Sequence, residues 1–347
     1  MSLGIAALSW VTPLGSDIEE IWSRLLAGET APLESLADPE TKKEYLVRRV
    51  SPLALKQLPP QTRLRRASAI SRFAAAAGLT ALRNFAGPLD RTALIFAVSN
   101  GGVIYTRRFY SEIVKAGSQG ASPLLFPETV FNAPASHLAA ILGLQGASYT
   151  VVGDGAAGIL ALKLAEDLLA GPGVDSVLVV AAEEIDPLVC EAYRRWRLLR
   201  NPTQPENGRG IILSEGAGAV LLTREKRELQ LSAIDAGTTF FRRTEAAGKL
   251  RKLRERLETS PSIIVGSANG TFIDRAERSA LGAIPYSPKP ALGDSVGASV
   301  LWQLIAATQI LKTARVPDYP DTTVGSSALV LSCGLNQHMG GLRVKLA

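Results

Sequence analysis

Ala147–Leu169, with the sequence ASYTVVGDGAAGILALKLAEDLL, is the stretch that decides the predicted fold. Its β-branched and aromatic run, Tyr149–Val152, predicts a buried strand. Gly153–Gly155 then predicts a tight turn, and apolar residues at helical spacing predict a helix over 156–169. A strand, a sharp turn and a helix present the turn residue to a site and direct the helix N-terminus at it. A nucleophile is expected at such a turn, but this chain has glycine there.

Other stretches predict strands and helices in alternation. Strands are predicted at 3–11, 92–100, 176–182, 219–222, 262–268, 328–332 and 342–346, and helices at 18–28, 68–85, 107–115, 131–142, 186–199 and 297–311. Residues 29–60 and the charged stretch after Thr223 predict irregular surface segments. The alternation indicates an α/β protein whose helices cover a mainly parallel sheet. The strand before Asn100-Gly101 and the strand before Asn269-Gly270 look alike, which hints at two similar halves.

The composition favours a folded protein with a mildly basic surface. The chain has 347 residues, of which 46% are hydrophobic and 20% charged, so extensive disorder is excluded. The formal net charge is +6. Basic residues cluster at 63–66, 107–108, 194–200, 242–243 and 249–256. These clusters are interpreted either as solvated helix faces or as a docking surface for an acidic partner. No nucleic-acid motif accompanies them, and a nucleic-acid partner is not expected.

Few residues are available for metal or redox chemistry. Cys190 and Cys333 cannot form a disulfide framework, and no pattern of metal ligands is present. His137 and His338 are the only histidines, which leaves little material for imidazole catalysis. The sequence predicts no metal, no cofactor, no signal peptide and no membrane span. A cytoplasmic location is therefore the expectation.

Five fragments in chain order resemble the β-ketoacyl synthase family. They are IAALSWVTPLGSDIEEIWSRLLAG, FNAPASHLAAILGLQGASYTVV, NPTQPENGRGIILSEGAGAVLL, SPKPALGDSVGAS and SCGLNQHMGG, which together extend over nearly the whole chain. The resemblance implies a thiolase-like α/β fold, in which two similar α/β/α halves form five layers and the protein dimerises. It divides the chain into residues 1–224, with the nucleophile turn, and a shorter half over 225–347, the two forming one compact unit.

The resemblance also implies which residues occupy the family's catalytic positions. The family's members extend acyl chains by Claisen condensation, using a cysteine nucleophile, two histidines and a lysine. Here the nucleophile position falls on Gly155, the histidine positions on Asn269 and Asp294, and the lysine position on Lys289. The phenylalanine of a glycine-rich gating loop falls on Leu335.

These replacements remove the chemistry of the condensation. Glycine has no side chain to acylate. An aspartate would repel an enolate that an imidazole would stabilise, unless it were protonated. Because the catalytic roles are lost together, the sequence predicts that Gly155, Asn269 and Asp294 are degenerate positions and that the chain is not itself the catalyst.

One branch of the family, the chain-length factors of type II polyketide and aryl-polyene systems, fits this pattern. Such subunits pair with an active ketosynthase and shape the acyl tunnel across the dimer interface. They usually carry glutamine where this chain has Gly155, which is a departure from their pattern. The resemblance places Val130, Phe131 and Pro134 on a helix that lines the tunnel, with Leu335 beside it. The implied partners are an active ketosynthase, an acyl carrier protein and the growing acyl chain.

Two other functions stay open from the sequence. The first is an enzyme of altered mechanism on the same fold, with Asp154 or Cys333 taking part in acyl transfer. The second is a homodimeric protein that binds acyl chains. The resemblance also places Asn269, Asp294 and Lys289 near one pocket. It therefore implies a structural polar cluster in which Asn269 and Asp294 bond to one another or to Lys289, since a buried lysine requires such a partner.

Overall fold

A computed structural model describes residues 2–56, 58–203, 208–258 and 263–347. Part of the predicted connection over 201–210 and the first residue of the strand predicted at 262–268 lie outside these ranges. The described strands, in chain order, are β1 (Leu3–Val11), β2 (Glu34–Ala37), β3 (Glu44–Arg48), β4 (Thr92–Val98), β5 (Ser148–Val152), β6 (Ser176–Glu183), β7 (Leu213–Ser214), β8 (Gly216–Thr223), β9 (Leu229–Thr239), β10 (Ile263–Val265), β11 (Ser327–Cys333) and β12 (His338–Leu346).

The helices agree with most of the periodic segments of the sequence. They are α1 (Ile18–Leu26), α2 (Ala69–Leu82), α3 (Val103–Ala116), α4 (Ala133–Leu142), α5 (Ala157–Ala170), α6 (Pro187–Arg195), α7 (Ala246–Leu257), α8 (Phe272–Leu281), α9 (Lys289–Leu292) and α10 (Ser299–Thr313). Asp17 caps α1 by accepting the Glu20 N–H, and Asp186 caps α6 by accepting the Leu188 N–H. Within the described ranges, no helix combines the length and the apolar character that a membrane crossing requires.

Nine strands form one mixed sheet in the order β10-β11-β12-β9-β1-β8-β6-β4-β5. The prediction of a mainly parallel sheet was wrong: of the described strand pairs in this sheet, β4–β5, β4–β6 and β10–β11 are parallel and the other five are antiparallel. β12 pairs with β11 across a short loop, residues 334–337, which allows an antiparallel pair, and β9 pairs antiparallel with β12 and β1, which are distant in the chain.

The sheet and its helices form five layers, as the resemblance predicted. Alternate residues of β4 face opposite sides: Leu94 and Phe96 pack against α2 and α4, whereas Ile95 packs against α5 and α10. In the second half, Val330 of β11 faces α5 and α10, and Leu331 faces α7 and α8. The layer of α5 and α10 therefore lies between the strands of the two halves.

The central helices approach closely because one position between them has no side chain. A Cβ on Gly158 of α5 would lie 2.8 Å from Val300 Cβ of α10. The two strand sets meet where β1 pairs with β9 through Leu3 and Gly4. The division of the chain at residue 224 falls between β8 and β9, and it remains a prediction.

Two segments predicted to be irregular contain strands. Residues 29–60 include β2 and β3, which form a small sheet with β7. Tyr45 and Val47 of β3 are buried, but exposed charged residues around them hide the alternation in the sequence. The charged stretch after Thr223 leads directly into β9, an eleven-residue strand whose polar residues Gln230, Ser232 and Asp235 mask its period.

Two further predictions about the decisive region need correction. β5 is not a buried strand: it lies at the edge of the sheet and leaves Tyr149 44% and Val152 50% exposed. Val130 and Phe131 are not on a helix, because α4 begins at Ala133 with Pro134 in its first turn. Proline fits the first turn of a helix and disfavours helical backbone before it, so the helix starts later than its apolar residues suggest.

Candidate functional site

The turn after β5 places Gly155 beneath a loop from the C-terminal half. The Gly153 N–H donates to the Val98 carbonyl at 3.0 Å and fixes the turn to β4. Gly155 is buried, and a Cβ built on it would lie 3.4 Å from the Gly334 Cα. The Ser332 hydroxyl donates to the Gly155 carbonyl at 2.8 Å. The predicted nucleophile position therefore lies against the end of β11 and the loop that follows it.

Asn269, Lys289 and Asp294 form the buried polar cluster that the sequence predicted. The Asp294 Oδ2 accepts the Asn269 side-chain amide at 2.7 Å and the Lys289 ammonium at 3.1 Å. Its Oδ1 accepts the Val296 N–H and the Ser299 hydroxyl, each at 3.0 Å. Both oxygens of the carboxylate are thus occupied by donors, and the Lys289 ammonium has a counterion.

These contacts keep Asp294 ionised in a buried position. Burial by itself raises the pKa of its carboxyl, but the charge of Lys289 and the hydrogen bonds from Asn269 and Ser299 outweigh burial, so the pKa lies below the ordinary value. An ionised carboxylate would repel an enolate oxyanion at this position. The cluster is therefore suited to stabilise the fold, and the assignment of these residues as degenerate catalytic positions stays a prediction.

The turn and the polar cluster are connected through the end of β11. The Cys333 N–H donates to the Ser267 hydroxyl at 2.9 Å, two residues before Asn269. Ser332, the preceding residue, bonds to Gly155. The structure therefore brings Gly155, Asn269, Lys289 and Asp294 to one region at the ends of the central strands.

Cys333 is an unsuitable nucleophile. Its side chain is fully buried in the cluster of Phe240, Leu331 and Met339. Burial raises the pKa of its thiol well above the ordinary value, and the negative charge of Glu277 raises it further. Because the thiolate is the reactive form, this environment opposes acyl transfer by Cys333.

Asp154, the other residue considered for acyl transfer, bonds to backbone on two sides. Its Oδ1 accepts the Ala156 N–H at 3.1 Å, and its Oδ2 accepts the Asn336 N–H at 3.0 Å. Leu335, next to Asn336, is partly buried and packs against two hydrophobic clusters, one with Phe272 and one with Tyr193. We call residues Gly334–Gln337 the gating loop.

The residues predicted to line a tunnel differ in how much of each side chain is exposed. Val130 is 41% and Phe131 45% exposed in the short segment before α4, whereas Pro134 is buried in the first turn of that helix. The Phe131 ring lies over Gly101, where a Cβ would come 2.8 Å from the ring. The structure thus places Val130 and Phe131 on the surface of the single chain.

Glu183, at the end of β6, was not identified from the sequence. Its carboxylate accepts the Ser99 N–H and, at 3.1 Å, the Asn100 N–H, so it holds the end of β4 beside the turn. Burial raises the pKa of Glu183 to about 8, although these donors favour the ionised form. The Ala-Ala-Glu-Glu sequence at the end of a buried strand is the only signal that could have indicated it.

We expect the thermal stability to fall as the pH rises from about 5 to about 8.5, and to fall less in Glu183→Gln. A carboxyl whose folded-state pKa is raised contributes stability below its ordinary value near 4.5, and this contribution is lost as the pH rises through about 8. Melting temperatures across this range test the expectation. Glu228→Gln, at an exposed position, should keep the wild-type slope. An unchanged slope in Glu183→Gln would contradict the assignment.

Known proteins resemble this chain in sequence and in fold. Residues 2–228 match the family described as Beta-ketoacyl synthase, N-terminal domain. A 3-oxoacyl-(acyl-carrier-protein) synthase 2 of Vibrio cholerae is 21% identical over 234 residues, which span 63% of this chain and 56% of that relative. The match therefore extends over little more than half of the relative's length.

Solved structures of the same fold cover almost the whole chain. A β-ketoacyl synthase from Burkholderia phymatum is similar with a TM-score of 0.83 at 18% identity, over 99% of each chain. A ketosynthase, ApeO, in complex with its chain length factor, ApeC, from Xenorhabdus doucetiae has a TM-score of 0.80 at 16% identity, over 100% of this chain and 98% of that one. These similarities establish the thiolase-like fold, and, since the family match covers well over half of the sequence, the chain belongs to the β-ketoacyl synthase family.

Proposed function

We propose that this chain is a non-catalytic, ketosynthase-like chain-length factor. It pairs with an active β-ketoacyl-ACP synthase and shapes the tunnel for the growing chain in type II polyketide or polyene synthesis. The observation that carries this proposal is the ionised Asp294, which is held by Lys289 and Asn269 at one predicted histidine position. The positions that the resemblance assigns to the nucleophile and the histidines hold Gly155, Asn269 and Asp294, and none of these residues supplies a thiol or an imidazole.

The exposed apolar surface of the N-terminal half supports a partner. Among the strands that the structure describes, β5 pairs only with β4, so its other side is a free sheet edge. The Phe109 ring lies 5.8 Å from the Phe126 ring, which joins α3 to the segment before α4. Large apolar side chains at least 40% exposed on these elements are Tyr110, Val114, Leu124, Phe126, Val130, Phe131, Tyr149 and Val152. Such side chains in number indicate an interaction surface.

In the proposed complex, Val130 and Phe131 meet the partner at the interface and limit the length of the tunnel. Pro134 fixes the start of α4 and hence their position. In this complex, Leu335 lines the tunnel on the side where Gly155 lies. Residues 1–224 supply the interface, and the shorter half, 225–347, supplies the polar cluster.

The acyl carrier protein is proposed to dock on basic residues of the complex. Several of the predicted clusters are already paired within the chain: Arg194 and Arg195 both contact Glu191, and Arg107 contacts Asp186. Among the predicted clusters, 63–66 is the one proposed for the carrier, because Arg63, Arg65 and Arg66 are all exposed. Surface charge of this kind accelerates association and sets orientation more than it sets affinity.

Co-expression with candidate ketosynthases tests the proposal. We expect a one-to-one complex by intact mass and condensation activity with a malonyl-carrier protein. Activity should survive Cys333→Ala in this chain and should be lost when the partner's active-site cysteine is replaced by alanine. A stable homodimer that forms an acyl adduct by itself would contradict the proposal and favour an enzyme of altered mechanism. A homodimer that takes up acyl chains without an adduct would favour the binding protein.

A further inference from the structure

Asp154 has a position that the proposed function does not explain. The tight turn needs small residues, and an aspartate at its centre places a charge beside the buried Gly155. The Asp154 carboxylate reaches across the turn to the C-terminal half, where it accepts the Asn336 N–H at 3.0 Å. These two residues are 182 positions apart in the chain, so the bond fastens two distant segments.

Gly334 allows the carboxylate to lie against the gating loop. A Cβ on Gly334 would overlap both oxygens of the Asp154 carboxylate, so any other residue at position 334 would displace it. The Gly334 N–H donates to the His338 carbonyl at 2.7 Å, which closes the loop upon itself. Glycine at the start of the loop and aspartate in the turn therefore fit one another.

Other residues of the gating loop also make contacts that fix its position. Leu335 packs between the cluster of Phe272 and the cluster of Tyr193, so it joins the two halves of the chain. The Gln337 carbonyl accepts the Phe240 N–H at 2.8 Å, and its side-chain amide donates to the Phe241 carbonyl at 3.0 Å. Each of these contacts would have to break if the loop moved away from Gly155.

We propose that Asp154 is a latch that holds the gating loop closed over Gly155. A hydrogen bond from a backbone N–H to an ionised carboxylate is stronger than a neutral one, and here it acts where the loop crosses the turn. The latch is a property of this chain's own conformation. Its consequence rests on the proposed function: with the loop closed over Gly155, an acyl chain enters the shared tunnel from the partner's side.

Hydrogen exchange of the isolated or complexed chain tests the latch. In Asp154→Ala, the Asn336 amide should exchange about tenfold faster or more, because a charge-assisted bond is removed. Gly334→Ala should give the same loosening, since the new Cβ displaces the carboxylate while Asp154 stays in the sequence. Asn336→Ala is the matched control. It shortens the side chain of residue 336 and keeps the backbone N–H that donates to Asp154, so the exchange rate of this amide should remain as in the wild type.

A reporter thiol gives a second, independent measurement. Gly155 tolerates a Cβ at ordinary contact distance, so Gly155→Cys places a thiol directly under the loop. We expect slow labelling by a maleimide in this variant, and labelling about tenfold faster or more when Asp154→Ala is added. The native Cys190 and Cys333 are buried and give the background measured without the reporter.

Wild-type exchange at Asn336 in both Asp154→Ala and Gly334→Ala would overturn the latch, as would fast labelling of Gly155→Cys while Asp154 is present. Neither readout depends on a ketosynthase or on activity. A failure of the latch is therefore distinguishable from a failure to form the complex, which would instead contradict the proposed function.

Discussion

Asp294→Ala will lower the free energy of unfolding by about 3–5 kcal/mol, a large part of the stability of an ordinary domain. The substitution leaves the Lys289 ammonium buried, with a side chain only 2% exposed and without its counterion. It also removes the acceptor of the Asn269 amide, the Val296 N–H and the Ser299 hydroxyl. Urea denaturation at neutral pH measures the loss.

Replacing Lys289 should lower the free energy of unfolding by less than replacing Asp294 does. In Lys289→Met the Asp294 carboxylate keeps three donors, so its charge remains stabilised by hydrogen bonds. Adding Lys289→Met to Asp294→Ala should restore part of the lost stability, because the unpaired charge is removed. Asp167→Ala, at an exposed position of α5, should change little. If the double variant is less stable than Asp294→Ala, the cluster does not work as an ion pair.

Phe131→Asp and Val152→Asp should each weaken the complex with a ketosynthase about 30-fold or more. Both side chains are about half exposed in the single chain, on elements proposed to meet the partner. A carboxylate buried in an apolar interface lacks a counterion, and central aromatic side chains contribute the most to such interfaces. The dissociation constant measured by titration with the purified ketosynthase tests this expectation.

The matched control is Phe241→Asp. Phe241 is 79% exposed and lies before α7, on none of the elements proposed to meet the partner. We expect wild-type affinity in this variant. All three substitutions should leave the melting temperature of the chain nearly unchanged, since the replaced side chains are exposed. Equal weakening in all three would mean that the interface is elsewhere.

The buried elements of the first half could be predicted from the sequence. β4 and β6 have continuous apolar runs that only a strand covered on both faces requires, and the structure buries every residue of both. The central turn was predicted for the same reason, because glycines flank Asp154 between a β-branched run and a helical period. Local patterning decides such segments.

Segments that depend on distant contacts were harder to predict. β9 pairs with β1 and β12, and its own residues alternate too weakly to indicate a strand. β5 has the composition of a buried strand but lies at the edge of the sheet, which only the strand order decides. In the site, the resemblance placed Asn269, Asp294 and Lys289 near one pocket, and the need of a buried lysine for a counterion then predicted their contacts. The hydrogen bond from the Asn336 N–H to Asp154 could not be predicted, since no local sequence pattern around either residue indicates a contact with the other.

Glycine at position 158 is required by helix packing and not by the chemistry of the turn. The close approach of α5 to α10 forbids a side chain there, whatever residue occupies the turn before it. The requirement comes from the shared central layer, so it persists in a chain whose turn carries no nucleophile. A glycine at this position is therefore required by packing, whether or not the chain catalyses the family's reaction. The close spacing of α5 and α10 constrains the residue at position 158, whereas a side chain in the turn can be exchanged without disturbing that spacing.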